Sequence, residues 1–146
     1  MRILFASAIL AIATLFGVAT ATAAGMSHKL AIHVDEDDPA VWNLALNNVE
    51  NAMEYYKSQG DTVSIELVAY GPGLKMLLPD SAVKERISVM GLESEDVVFS
   101  ACGNTMAKMS KKAGHEIKVL SEARVVPGGV IRLIELQNDG YAYLKP

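Results

Sequence analysis

One cysteine, Cys102, stands in a chain of 146 residues. No intrachain disulfide can brace the fold, so core packing alone must hold it. Peroxide chemistry is disfavoured on the same ground, because a sulfenic acid would find no resolving thiol in the chain. Positive charge is also scarce: 13 Lys and Arg face 17 Asp and Glu, a formal net charge of −4. Such a surface repels phosphate backbones, and the small cluster Lys108, Lys111 and Lys112 does not offset it, which argues against nucleic-acid binding. Low-complexity tracts and internal repeats are absent, which excludes a disordered chain and a solenoid. Gly71-Pro72-Gly73 has neither phosphate-loop spacing. The acidic run Asp35-Glu36-Asp37-Asp38 lacks the glycine and the distant glutamate of an EF-hand, and reads as a solvated helix start. Met106 and Met109 read as a helix stripe. No Ser-His-Asp set and no metal-ligand spacing stands out, so no metal and no cofactor is expected.

What is present begins with a leader. Met1-Arg2 is followed by an uncharged apolar stretch from Ile3 to Val18 and then by Ala19-Thr20-Ala21-Thr22-Ala23-Ala24. That is the order of a secretory signal, with cleavage expected after Ala23 and a periplasmic destination beyond a bacterial inner membrane. An uncleaved anchor is the alternative, since roughly 20 apolar residues can span a bilayer. Residues 1–23 are thus read as the signal peptide and 24–146 as a single domain, which no membrane holds after cleavage.

The domain reads as strands alternating with helices. Leu30–Val34 is a short buried strand. Pro39 to about Gln59 is a helix, with Val41, Leu44, Ala45, Val49, Ala52, Met53 and Tyr56 as its apolar stripe. Thr62–Tyr70 is a β-branched strand closed by Gly71-Pro72-Gly73. A helical turn near Leu74–Leu78 precedes a second helix, capped by Asp80 or Ser81 and ending at Met90 before Gly91. Val97–Ala101 is a central strand, apolar on both faces. A helix from Met106 to Ala113 stops at Gly114. Residues 115–122 are left as loop with some helix or strand. Arg124–Val126 is a strand, Val130–Asn138 a helix and Tyr141–Leu144 a fifth strand. This alternation predicts an α/β fold of three layers, helix-sheet-helix, around a five-stranded parallel sheet.

In such a sheet, ligands bind beyond the carboxyl ends of the strands. Four clusters fall there: His33, Asp35 and Glu36; Tyr70 with Gly71-Pro72-Gly73; Cys102-Gly103-Asn104-Thr105; and Pro127-Gly128-Gly129. Cys102 lies between a strand end and a helix start, where free N–H groups and the helix dipole favour thiolate. It is expected to be exposed at the sheet's carboxyl edge, able to take sulfur as a persulfide or to attack a disulfide. The competing expectation is a small buried side chain finishing its strand. Gly103 would let a substrate approach, and Asn104 or Thr105 would cap the helix or bond an anion. His33 is either a proton carrier or a satisfied strand histidine.

The pattern Ile32-His33-Val34-Asp35, Leu46-Asn47-Asn48 with Asn51, Val68-Ala69-Tyr70-Gly71-Pro72-Gly73, Ala101-Cys102-Gly103-Asn104-Thr105, Val125-Val126-Pro127-Gly128-Gly129-Val130, and Glu135-Leu136-Gln137 with Gly140-Tyr141-Ala142-Tyr143 resembles the DsrE/DsrF-like family. The Cys102 segment is similar to that of its exported, mostly uncharacterised branch. The resemblance implies a five-stranded parallel sheet, homo-oligomers such as trimers or hexamers, and a link to sulfur relay with a donor or acceptor protein as partner. It implies Cys102 as the persulfide-bearing residue. Gly103, Asn104, Thr105, Tyr70, Gly71, Gly73 and His33 would surround the substrate, the two latter glycines shaping the entrance. The alternative is a non-catalytic oligomeric module that binds a small anion or thiol at the same edge, with Cys102 structural.

Overall fold

Apolar, β-branched segments separated by helix-length polar and apolar alternation close into one sheet in the computed structural model, which describes residues 25–146. The expected signal peptide lies outside the described residues. The strands are β1 (Ser27–Val34), β2 (Thr62–Ala69), β3 (Val97–Cys102), β4 (Ala123–Val126) and β5 (Ala142–Leu144). They pair in the order β4-β3-β2-β1-β5, and every pairing is parallel. The connecting helices are α1 (Pro39–Ser58), α2 (Lys84–Glu93), α3 (Gly103–Ala113) and α4 (Gly129–Asn138), with a 3-10 segment, Gly71–Leu77, after β2. The predicted five-stranded parallel α/β architecture is the one found. Among the described residues no helix is long and apolar enough to cross a membrane.

Strand order and side-chain alternation assign the two faces. The main core lies under α1, α2 and the 3-10 segment, and unites Ile32, Leu46, Leu67, Leu77, Ile87 and Phe99. Met106 and Met109 of α3 pack against it, as the stripe reading expected. The opposite face carries a smaller cluster, Ala31 and Val68 against Leu133 and Leu136 of α4. The chain moves outward from β1 to β4 and returns across the sheet through α4, which alone covers that second face.

Several details differ from the sequence reading. In α1 the buried residues are Trp42, Ala45, Leu46 and Val49, while Leu44 is turned outward. Trp42 decides that rotation, since its indole N–H donates to the Glu36 carbonyl at 2.7 Å and needs a partly buried position. The acidic run precedes the helix instead of filling its first turn. Asp38 is the N-cap, accepting from the Ala40 N–H at 2.8 Å. Neither Asp80 nor Ser81 caps α2; Ser81 ends a turn whose next residues bury Val83, and the helix begins at Lys84. Gly91 does not stop it, because a helical glycine costs only about 1 kcal/mol, and the helix runs to Glu93.

The α4 face also holds a buried charge. Glu66, pointing from β2 between Ile65 and Leu67, is 3% exposed. Arg132 grips it with Nε and Nη2, each at 2.8 Å, Ser100 donates at 2.6 Å, and Arg124 closes the cluster. Burial works to raise the carboxyl pKa, but the hydrogen bonds from Arg132, Arg124 and Ser100 overcome it and bring it down to about 2 from the usual 4.5. A carboxyl depressed in the folded state stabilises above its unfolded pKa and loses that contribution as pH falls toward its folded one. The contribution is therefore intact above pH 4.5 and fades toward pH 2, with a size of about 3 kcal/mol. In urea denaturation, wild type should exceed Glu66→Gln by about that amount at pH 6, and the gap should close as pH approaches 2. A gap that does not change with pH would contradict this.

Candidate functional site

Cys102 ends β3 and is itself the N-cap of α3; Gly128 is the N-cap of α4, which starts one strand away. Neither helix has a side-chain cap. Their first N–H groups therefore need another acceptor, and an anion suits that place. The Cys102 thiol stands at that junction. Burial, the largest influence, pushes its pKa up, but the Thr105 hydroxyl and the backbone N–H groups of Gly129, Thr105 and Asn104 outweigh burial, and the pKa lies below the ordinary thiol value. The two helix starts are tied together, since the Asn104 N–H donates to the Pro127 carbonyl at 3.3 Å.

Two glycines make the convergence sterically feasible. Gly71, at φ +53°, lies in the left-handed region that favours glycine, and its N–H donates to Thr105 Oγ1 at 3.0 Å. That bond positions the Thr105 hydroxyl, which favours the Cys102 thiolate. A Cβ on Gly129 would stand 2.7–2.9 Å from three atoms of the Tyr70 side chain, so only glycine lets α4 begin this close to β2.

The sequence-derived site residues separate into two groups. Cys102, Thr105, Gly71 and Tyr70 come together around the sulfur. Asn104 contributes its backbone N–H, not a capping side chain. At Gly103 a Cβ would meet the Val126 carbonyl at 3.1 Å, so its bareness serves the approach of α3 to β4. Gly73 is buried against the Val34 carbonyl, 2.5 Å from where a Cβ would sit, and packs the 3-10 segment against β1. The thiol is not exposed as expected: Cys102 is 5% accessible, buried where α3 and α4 begin.

His33 belongs to a neighbouring cluster. Its ring stacks on Tyr70 at 4.7 Å between centroids, and Nδ1 lies 2.7 Å from the Tyr143 hydroxyl. Asp35 stands 3.5 Å from Nε2, and the Lys145 ammonium 2.8 Å from Asp35. Burial, opposed by Asp35 and aided by Lys145, lowers the His33 pKa, which keeps the ring neutral at pH 7. No hydrogen bond joins it to Cys102. The crevice between β1 and β5, where the chain reverses direction and where open sheets commonly take ligands, is filled by this cluster. Sequence reasoning missed the Gly129 N–H as a group that lowers the thiol pKa, and it missed Glu66 with Arg124 and Arg132. A glutamate inside the apolar run of β2 was the available signal for the second.

The fold and site define a parallel α/β protein with one buried thiol at the carboxyl edge, where two helices begin. A family profile described as the DsrE/DsrF-like family matches residues 28–146. The chain belongs to that family, which is associated with sulfur relay. It is also similar to a solved structure, a protein of unknown function from Methanobacterium thermoautotrophicum. That likeness has 32% identity and a TM-score of 0.68, and covers 82% of this chain and 99% of the other. No match was found among curated proteins.

If the donors set the thiolate population, removing one should slow alkylation only where ionisation limits it. Thr105→Val should react with iodoacetamide about fivefold more slowly than wild type at pH 7, roughly the worth of one hydrogen bond, and equally fast at pH 10. An equal slowing at both values would mean that access, not ionisation, had changed.

Proposed function

We propose that this protein is a periplasmic sulfur carrier in which Cys102 accepts sulfane sulfur as a persulfide and passes it to a partner protein. The observation that supports this reading best is the place of Cys102 where two helices without side-chain caps begin, so that their N–H groups favour its thiolate. A structural cysteine in an apolar site has no use for them. In the accepting step the thiolate attacks the outer sulfur of a polysulfide or persulfide, and a new S–S bond forms as the donor's own S–S bond breaks. The donor leaves with the electron pair as a thiolate. The same N–H groups would then hold the persulfide anion. Its burial means that the covering first turns of α3 and α4 have to part for the donor to enter.

The carrier is proposed to act as a homo-oligomer such as a trimer or hexamer. Val125 of β4 and Val130, Ile131 and Ile134 of α4 are each half exposed or more, an apolar face suited to a second subunit. One observation favours the rival reading, a binding module with a structural Cys102: the thiol is 5% accessible.

Intact-mass measurement separates the two. After incubation with inorganic polysulfide, the folded protein should gain about 32 Da, the mass of one sulfur added to a thiol. The gain should reverse with a reductant and be absent in Cys102→Ser. A folded protein that gains nothing while the urea-unfolded chain does would establish the rival.

A further inference from the structure

A groove of about 900 Å³ runs between the 3-10 segment and α3. Thr105, three residues beyond Cys102 in the first turn of α3, lines it. Its floor is apolar, formed by Pro72, Met109 and Ile117, and no residue of α3 is fully buried, so this side of the helix is left uncovered. Three ammonium groups line it in a chain that is otherwise acidic. Lys75 is neutralised by Asp37. Lys108 and Lys112, four residues apart and so on one side of α3, have no acidic partner among the described residues.

We propose that this groove binds a small organic sulfur carrier: a peptide-sized thiol or persulfide with two carboxylates, its sulfur at Thr105 and its carboxylates at Lys108 and Lys112. The inference rests on the carrier reading above and names the class of molecule that brings the sulfur.

Size and chemistry select that class. A helix rises 1.5 Å per residue, so Thr105 and Lys112 are about 10 Å apart along α3. An inorganic sulfur anion cannot touch both ends, whereas three extended residues span about 10 Å. The volume lies in the range of small-molecule sites. An apolar floor flanked by two unpaired cations fits a ligand with a hydrocarbon body and separated negative charges. The step balances without an added oxidant: Cys102 thiolate and R–S–SH give Cys102–S–SH and R–S⁻. The bond between the carrier's two sulfurs breaks, and its electron pair leaves with R–S⁻.

Glutathione derivatives serve as probes. In Cys102→Ser, which cannot accept sulfur, S-methylglutathione should bind saturably and shift backbone amide signals at Thr105, Met109 and Ile117. The double variant Lys108→Gln/Lys112→Gln in that background should bind roughly tenfold more weakly, as expected for two exposed charge contacts. With Cys102 intact, the same double variant should take sulfur from glutathione persulfide about tenfold more slowly, yet from inorganic polysulfide at the wild-type rate. Saturable binding without any sulfur uptake would uphold the groove and overturn the carrier reading. Uptake from glutathione persulfide at equal rates in variant and wild type, or amide shifts elsewhere on the surface, would overturn the groove and leave the carrier reading standing. Equal slowing with both donors would also overturn it, since the lysines would then act as a general field.

Discussion

The convergence of two helix starts on one sulfur is the interaction on which the rest of this structure turns. β3 and β4 are neighbours, and the helices that follow them lie on opposite faces of the sheet. Their amino ends consequently straddle the sheet's edge at one point. A lone uncapped helix start would leave its N–H groups to solvent; here two of them face one buried thiol. Burial in that place opposes ionisation, and only the number of donors reverses the balance.

Holding α4 in position is the task of two distant contacts. At its first residue, Tyr70 fills the space that a Gly129 side chain would need, backed by the stacked ring of His33. One turn later, Arg132 reaches through to Glu66 with a two-pronged grip. A guanidinium clamped at both nitrogens fixes direction as well as distance. Together they set where the Gly129 N–H points. The buried Glu66 cluster, remote from any nucleophile, is thus connected to the thiol through the first turn of one helix.

The sequence made the order of elements legible because each strand is an unbroken apolar, β-branched run and each crossover carries helical periodicity. Boundaries were less legible where a single tertiary contact overrides the pattern. Trp42 rotates α1 so that Leu44 faces out, and Val83 is buried in a turn that delays α2. Of the site, Cys102 and the neighbouring loops could be read from the topology, since strand ends in parallel sheets gather on one edge. That the start of α4 at Gly129 would lie by the thiol, and that the thiol would be enclosed, depended on how closely α4 approaches β2, a distance no spacing encodes. For Asn104, Gly103 and Gly73 the sequence pattern suits both ligand binding and tight packing, since polar residues and glycines gather at strand ends for either purpose. The packing role of the two glycines depends on backbone approaches that no spacing encodes.

The most direct test of the account is a spectroscopic titration of the Cys102 thiol in the folded protein, following thiolate absorbance in the ultraviolet against Cys102→Ser. The account predicts a transition below that of the same thiol in the urea-unfolded chain. A transition at or above the unfolded value would show that burial prevails over the donors, and would contradict it.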